Sequence, residues 1–247
     1  MNAEMLDFDA AKAALAAHRE MFDRFAQLLI EHNRTTNLTR IDSPEQIQTR
    51  HFLDSLAALS VLDKTAAAGG GTDFSLIDVG SGAGFPALAL AIARPQWRIV
   101  SLEATDKKVH FQQIVCRELA LTNVQVIHGR AEVIAHDSQL RERFNAATAR
   151  AVAGLDVLAE LMIALVRTGG IGLFWKGSQV QDELMTAAKA FEKMGAVITQ
   201  LYAYRLPKQP SDAESSMMYL VAAEKHTPTP AAYPRQNFGS IKKRPLC

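Results

Sequence analysis

Apolar residues recur along this chain with two different spacings. Between residues 10 and 62 they fall three or four positions apart, as Phe22, Phe25 and Leu29 do, which predicts amphipathic helices over 10–32 and 43–62. From residue 74 onward, short apolar runs alternate with helical patterns. The pattern therefore predicts an N-terminal helical segment followed by an alternating α/β domain.

Seven runs have the length and composition of β-strands. They cover residues 75–79, 98–102, 124–128, 144–150, 171–175, 197–204 and 217–223. Helical patterns fill most of the gaps, at 87–93, 107–119, 155–167 and 179–194. Strands separated by helices form a parallel sheet that is covered on both faces. Residues 207–215 are too few for a helix, so the last strand is predicted to run antiparallel.

The most distinctive motif is LIDVGSGAGFP at 76–86, an apolar strand that ends in a glycine-rich turn. Gly80 and Gly82 permit positive φ and a close ligand. Phe85 stands where a dinucleotide fingerprint has its third glycine, and no Gly-Lys-Ser/Thr follows, which disfavours a pyrophosphate site. Glu103, after the next strand, is placed to accept hydrogen bonds from ribose hydroxyls. These features predict an adenosine ligand without phosphates, commonly S-adenosylmethionine; the alternative is a tight turn that binds nothing.

The ends of the later strands indicate further chemistry, because ligands of such sheets lie beyond the carboxyl ends of the strands. Glu132 could bind the adenine edge, or it could be a first-turn carboxylate that the helix dipole stabilises. The fourth strand ends in Ala149-Arg150-Ala151. It lacks the Asn/Asp-Pro-Pro-aromatic run of methyltransferases that act on exocyclic amines. It also lacks the cysteine nucleophile of those that act on pyrimidine carbon.

Without these two signatures, the predicted methyl acceptor is an atom that is already nucleophilic, such as a purine N7. Catalysis would depend on proximity and orientation instead of a general base. Arg150 and Lys176 are predicted as catalytic residues that hold a phosphate or the O6 of the base. For Arg150 the alternative is an ion pair at the start of a helix.

Composition limits the class of protein and its partners. The chain has 247 residues, of which 48% are hydrophobic and 21% charged, as expected for a soluble globular protein. We expect no membrane span or secretory leader, and the two cysteines, Cys116 and Cys247, favour a cytoplasmic location. The seven histidines show no ligand-type clustering, so no metal is expected. The net charge is +1, but the tail is basic, so it is either solvated or in contact with phosphate.

Several short segments, taken in order, resemble the bacterial 16S rRNA (guanine-N7) methyltransferases of the glucose-inhibited division protein B family. They are NLT at 37–39, RHFLDS at 50–55, the glycine turn, ARA at 149–151, WKG at 175–177, and YPR at 233–235 with Lys242 and Lys243. Residues 236–241 depart from the more basic, Gly-Thr-Pro-like stretch that is commonest there.

The resemblance implies a Rossmann-like class I methyltransferase fold, with a seven-stranded, mostly parallel sheet and one antiparallel strand. From the resemblance, together with the change of pattern along the chain, we expect a helical segment at 1–71, an S-adenosylmethionine-binding domain at 72–226 and a basic tail at 227–247. The implied activity is methyl transfer to a guanine N7 of 16S rRNA or of the small ribosomal subunit, by a cytoplasmic protein that we expect to be monomeric.

The predicted site residues fall into two groups. Cofactor binding is expected of Gly80, Gly82, Phe85, Glu103, Ala104, Thr105, Ala131, Glu132 and Arg150. RNA binding is expected of Asn37, Arg50, His51, Arg235, Lys242 and Lys243. Two other functions stay open: a methyltransferase of the same fold that acts on a small molecule without RNA, and a non-enzymatic RNA-binding factor with little affinity for S-adenosylmethionine.

Overall fold

A single mixed sheet forms the centre of the computed structural model, which describes residues 1–69, 73–208 and 217–246. Its eight strands are β1 Ala3–Met5, β2 Ser75–Val79, β3 Arg98–Glu103, β4 Val124–His128, β5 Phe144–Arg150, β6 Val166–Lys176, β7 Ala196–Arg205 and β8 Met217–Lys225. The order across the sheet is β1-β7-β8-β6-β5-β2-β3-β4. Strand β8 pairs antiparallel with both β6 and β7, and the other pairs are parallel. The predicted reversed last strand is therefore confirmed.

The helices of the described ranges cover both faces of this sheet. They are α1 Asp9–Ala17, α2 Arg19–Thr36, α3 Pro44–Gln46, α4 Asp54–Leu56, α5 Leu59–Ala68, α6 Ala87–Ala93, α7 Asp106–Glu118, α8 Ala131–Ile134, α9 Leu155–Met162, α10 Val180–Lys193 and α11 Phe238–Lys243. A π-helix, Ile47–Leu53, joins α3 to α4, and a 3₁₀ turn, Ile163–Leu165, leads into β6. The side chain of Ser43 accepts a hydrogen bond from Gln46 N at 3.3 Å and so caps the start of α3.

Alternating side chains along each strand build two hydrophobic layers, because successive residues of a strand point to opposite faces. Leu76 belongs to the layer that α1, α2, α5, α6 and α7 cover. Its neighbour Ile77 belongs to the layer formed with α9, α10 and α11. The N-terminal helices therefore share a continuous core with the sheet, and the predicted division into 1–71, 72–226 and 227–247 stays a prediction.

Several element boundaries differ from the sequence-based ones. Strand β1 was not predicted, because its three residues are all exposed and give no hydrophobic pattern. The predicted helix at 155–167 ends at Met162, and Val166 already begins β6. The predicted helix at 10–32 is interrupted at His18. Helix α5 extends through Ala68, beyond the end at residue 62 that the sequence predicts.

Within the described ranges, every helix is too short or too polar to cross a lipid bilayer.

Candidate active site

A cleft opens at the carboxyl ends of the parallel strands, close to where the chain changes direction across the sheet. From β2 the chain proceeds outward through β3 and β4, whereas β5 and β6 lie on the other side of β2. Ligands of open α/β sheets bind at such a switch point. The cleft has a volume of about 290 Å³. Its lining residues are Val79, Gly80, Leu102, Glu103, Ala104, Gly129, Arg130, Ala131, Glu132, Ala151, Val152, Leu161 and Phe238.

Five of the predicted cofactor residues therefore lie together on one cleft wall. They are Gly80, Glu103, Ala104, Ala131 and Glu132. Four others, Gly82, Phe85, Thr105 and Arg150, are not part of the lining; the first three belong to the backbone and packing that shape the cleft. None of these binding roles is tested by the arrangement alone, so they stay predictions.

The glycine turn has the backbone geometry that its composition indicates. Gly80 has φ of 71° and its N–H donates to Leu102 O at 2.8 Å, which ties the turn to the end of β3. A Cβ on Gly80 would lie 2.8 Å from Val152 Cγ2, so a larger residue would clash with the cleft wall. Gly82 has φ of 59°, and a Cβ there would meet nothing within 4 Å. The turn is thus closed below Gly80 and open beside Gly82, as a backbone that cradles a ligand requires.

Glu103 fixes the glycine turn through its carboxylate. Oε2 accepts from Gly82 N and Oε1 from Thr105 N, both at 2.8 Å. The side chain is 6% exposed and still lines the cleft. A carboxylate oxygen can accept more than one hydrogen bond, so these contacts leave capacity for ribose hydroxyls.

A buried acid supports the same turn from below. Asp78 accepts a hydrogen bond from Thr148 Oγ1 at 2.8 Å. It accepts another at 3.2 Å from the backbone N–H of Ala87, which is the first residue of α6. Burial raises the pKa of Asp78 to about 7, against the opposing effect of these hydrogen bonds. Because Asp78 is fully buried, it positions strand, turn and helix and does not face a substrate.

Arg150 lies in a stack of planar groups beside the cleft. Its guanidinium carbon is 5.5 Å from the centroid of the Phe85 ring, and the rings of Phe85 and His51 stack at 4.4 Å and 5°. Nη1 donates to Arg50 O at 3.0 Å and to Asp54 Oδ2 at 2.8 Å. Asp54 begins α4, so the ion pair at a helix start that the sequence left as an alternative is present. The predicted catalytic and cofactor roles of Arg150 stay predictions.

His51 is held as a neutral ring. Arg150 Nη2 donates to Nδ1 at 3.1 Å, so the proton lies on Nε2, which is 3.0 Å from Thr39 Oγ1. Burial, and secondly the charge of Arg150, lower the pKa of His51 to about 3. His51 is 8% exposed and packs on Phe85, so the structure places this predicted RNA-binding residue inside the N-terminal core, where it shapes the site.

Asp54, Trp175 and Tyr204 also belong to this cluster, although the sequence analysis did not predict them as site residues. Asp54 accepts from Tyr204 Oη at 2.5 Å as well as from Arg150, and its backbone oxygen accepts from Trp175 Nε1 at 2.9 Å. Burial and the neighbouring Asp54 raise the pKa of Tyr204 well above its usual value. The available signal was the spacing of His51 and Asp54, three residues apart, which places both on one side of a helical turn.

The structure places Lys176, the second predicted catalytic residue, in a buried ion pair. Its Nζ donates to Glu183 Oε2 at 2.7 Å and to Ala153 O at 2.6 Å, and its side chain is 7% exposed. The same Glu183 oxygen accepts from Leu155 N, the first residue of α9. Lys176 thus holds the loop after β5, and direct contact with a substrate would require this pair to open. Its catalytic role stays a prediction.

The remaining predicted RNA-binding residues differ in exposure. Asn37, at the end of α2, is exposed, as are Arg50, Lys242 and Lys243. Arg235 instead forms a two-pronged ion pair with the fully buried Glu160, at 2.6 and 2.8 Å. Across residues 1–69, 73–208 and 217–246, no three His, Cys, Asp or Glu side chains are grouped so that they could hold a metal ion.

Comparison with known proteins assigns the chain to a family. A family model described as "GidB: rRNA small subunit methyltransferase G" matches residues 18–210. The chain belongs to the GidB family. The ribosomal RNA small subunit methyltransferase G of Desulfitobacterium hafniense (strain Y51) is 40% identical over 227 residues, covering 92% of this chain and 89% of that protein. The protein of the same name from Leuconostoc mesenteroides is 38% identical over 225 residues, covering 91% and 90%.

Solved structures of other methyltransferases share the fold of this GidB-family chain. A mutant of the 16S rRNA (adenine(1408)-N(1))-methyltransferase from Catenulisporales acidiphilia superposes with a TM-score of 0.52 at 12% identity, covering 67% of this chain and 94% of that one. M. jannaschii TYW2 in complex with AdoMet gives 0.50 at 12% identity, covering 67% and 76%. The predicted Rossmann-like class I methyltransferase fold is confirmed.

Membership of the GidB family confirms the predicted enzyme class, with S-adenosylmethionine as the cofactor. The described residues fit this group. The backbone of Gly80 lines the cleft, and the carboxylates of Glu103 and Glu132 offer acceptors to ribose hydroxyls and to the adenine amino group. The largely apolar remainder of the lining suits a flat base.

Proposed function

We propose that this protein transfers a methyl group from S-adenosylmethionine to N7 of a guanine in 16S rRNA of the small ribosomal subunit. The observation that supports this acceptor is the neutral, fully engaged His51 beside Arg150. Guanine N7 has an in-plane lone pair and carries no proton, so its methylation needs no general base. A site whose nearby imidazole has a pKa of about 3 and donates its Nε2–H hydrogen bond to Thr39 Oγ1 suits that chemistry.

Bound S-adenosylmethionine supplies the electrophilic methyl group. The chain's own contribution is to bind, orient and exclude water. Glu103 and Glu132 are proposed to hold the ribose and the adenine edge. Arg150 is proposed to present its remaining N–H donors to the base or to a phosphate, since the planar guanidinium binds either in a fixed orientation. Its stacking on Phe85 and its ion pair with Asp54 fix that orientation beforehand.

The acceptor is tested by mapping the product. The protein is incubated with methyl-labelled S-adenosylmethionine and small subunits from a bacterial strain that lacks the activity, and nuclease fragments are analysed by mass spectrometry. We expect one labelled 7-methylguanosine in 16S rRNA. Parallel reactions with naked 16S rRNA and with mature subunits identify the substrate form. Label on another atom, or turnover with a small molecule in the absence of RNA, would contradict the proposal.

The role of Arg150 is tested with Arg150→Lys, because Arg150→Ala would also leave Asp54 without its charged partner. Lysine keeps a positive charge beside Asp54 but loses the planar fork. We expect kcat to fall at least roughly a hundredfold, as for the loss of a positioned charge-assisted donor. Arg98→Lys is the matched control, because Arg98 begins β3, at the amino end of the strand and away from the cleft, where it pairs with exposed Asp73. Equal kcat values for the two variants would show that Arg150 does not take part in methyl transfer.

The RNA is proposed to approach over the exposed residues Asn37, Arg50, Lys242 and Lys243. His51 and Arg235 are proposed to act indirectly, since each is bound to other protein groups. The protein is also proposed to act as a monomer in the cytoplasm, where its ribosomal substrate is found.

A further inference from the structure

One residue of the cofactor cleft comes from the very end of the chain. Phe238, the first residue of α11, lines the cleft together with Glu132 and Val152. It is half-buried, packed against the core layer that contains Leu161 of α9. An aromatic ring that is packed on one side and borders a cleft on the other offers an apolar surface to a ligand.

The segment that carries Phe238 is firmly attached to the methyltransferase core. Arg235 uses its backbone N–H and its guanidinium to bind both oxygens of Glu160, whose side chain has no solvent exposure. His136 Nε2 lies 2.7 Å from Pro234 O, and Arg141 donates to Tyr233 O at 2.8 Å. These contacts hold the chain immediately before Phe238.

The chain after Phe238 is attached as well. The side chain of Asn237 accepts from Ser240 N at 3.0 Å and so caps the short helix. Ile241 is fully buried and Leu246 is 7% exposed, both in the same core layer as α9. Arg235 Nη2 also donates to Arg244 O at 2.9 Å, which closes the segment on itself. The position of Phe238 is therefore set by contacts on both sides of it.

Given the proposed position of the adenine edge beside Glu132, we propose that Phe238 is a further binding residue of the cofactor site, whose ring packs against the adenine base of S-adenosylmethionine. The other apolar groups of the cleft, Val152 and Leu161 among them, belong to the same pocket as Glu132, the proposed partner of the adenine edge. A purine presents a flat π-face that stacks well on an aromatic ring. The C-terminal segment is then a wall of the cofactor site in addition to carrying the basic residues Lys242 and Lys243.

The proposal is tested by calorimetric binding of three ligands to Phe238→Ala and to the wild-type protein. The ligands are S-adenosylmethionine, S-adenosylhomocysteine and adenosine, which share the base but differ in the sulfonium and the amino-acid part. Loss of one base-aromatic contact predicts affinities roughly tenfold or more weaker for all three ligands. Phe238→Tyr keeps the ring and should remain within about threefold of wild type.

Tyr233→Ala is the matched control, since Tyr233 is a partly buried aromatic of the same segment that does not line the cleft. It should leave the three affinities unchanged. In steady-state assays, Phe238→Ala should raise KM for S-adenosylmethionine while kcat and KM for the RNA substrate stay the same.

Several outcomes would overturn the proposal. Weaker binding of S-adenosylmethionine alone would place the ring against the sulfonium, and unchanged affinities would show that Phe238 only packs against the core. If Phe238→Ala lowers the melting temperature of the free protein and Tyr233→Ala weakens binding equally, the effect belongs to the segment and not to the ring. Wild-type binding of S-adenosylmethionine, measured first, separates failure of the proposal from failure of the cofactor assignment.

Discussion

A single histidine illustrates how local contacts determine chemistry at this site. His51 stacks on Phe85, accepts from Arg150 and faces Thr39 Oγ1, so each edge of its ring has a partner. Protonation of Nδ1 would bring two positive charges together in a buried space. The contacts that lower the pKa of His51 therefore also orient Arg150.

This arrangement predicts a pH-dependent contribution to stability. The pKa of His51 is about 3 in the folded protein against an ordinary value of 6.5, so the unfolded chain binds more protons between these values. The contribution of His51 is present above pH 6.5 and is lost as the pH falls toward 3. The change amounts to at most about 1.4 kcal/mol per pH unit. Urea unfolding of wild type and His51→Gln at steps of about one pH unit, from roughly pH 4.5 to roughly pH 7.5, would measure it.

Wild type and His51→Gln must be compared with each other, because Asp78 changes stability with pH in the opposite direction to His51. Its folded pKa of about 7 lies above the ordinary 3.8, so its contribution to stability falls as the pH rises between these values. Both proteins contain Asp78, and its effect cancels in their difference. The wild-type advantage over His51→Gln should shrink as the pH falls. An advantage that stays constant over the whole pH range of the experiment would contradict a neutral, buried His51.

At the scale of elements, a buried carboxylate is one of the groups that attach the C-terminal segment to the core. Glu160 lies on α9, has no solvent exposure and is bound by the backbone and side chain of Arg235. A buried charge that loses its partner is strongly destabilising, whereas an exposed charge contributes little.

Arg235→Ala should therefore lower the free energy of unfolding by roughly 3 kcal/mol, because it leaves the Glu160 carboxylate buried without its cation. Lys243→Ala, at an exposed position of the same segment, should change it by less than about 0.5 kcal/mol. Guanidinium unfolding measures both values, and hydrogen exchange of residues 229–246 shows whether the segment detaches. Equal stabilities of the two variants would show that the Arg235 and Glu160 pair does not anchor the segment.

A second element, the π-helix Ile47–Leu53, brings the N-terminal segment to the site. It carries Arg50 and His51 and leads directly into Asp54, and all three residues contact Arg150. π-helical turns are frequent at functional sites, because the wider turn re-aims neighbouring groups. The segment RHFLDS at 50–55 therefore supplies three of the groups that hold Arg150 in place.

At the scale of the whole molecule, a net charge of +1 provides little overall attraction for RNA. Binding of a polyanion must depend on local groups of exposed cations, and each phosphate contact adds to the salt dependence of affinity. Lys242 and Lys243 lie on the same short helix as Phe238, so RNA contacts there would lie within one or two helical turns of the cofactor cleft.

The double variant Lys242→Gln/Lys243→Gln should therefore weaken RNA binding and reduce the slope of log affinity against log salt concentration by roughly 1.5, because each of the two lysines contributes roughly 0.7 to 0.9. Affinity for S-adenosylhomocysteine should not change, because neither lysine lines the cleft. Filter binding of small-subunit RNA over a range of salt concentrations measures the slope. An unchanged slope would mean that the tail does not contact phosphate.

Local patterning was sufficient to predict much of the sheet. The strands at 75–79, 124–128 and 144–150 have the predicted bounds. Strand β2 is a short apolar run, as is usual for a buried parallel strand, whereas β4 lies at the edge of the sheet, is partly exposed and contains polar residues. Strand β1 could not be predicted in this way, because it is formed by pairing with β7 at a distant position in the sequence. The glycine turn and the acids at the strand ends were also visible, since parallel strands bring their carboxyl ends to one edge.

The sequence by itself determined the order of seven of the eight strands, the reversed last strand and the class of ligand, because hydrophobic period and glycine spacing are local properties. Only the tertiary structure decided which charged groups are available. It paired Arg150 with Asp54, Lys176 with Glu183 and Arg235 with Glu160, and it brought Phe238 to the cleft. The physical reason is that the free energy of a buried charge or ring depends on partners far away in the chain, and no local pattern records them.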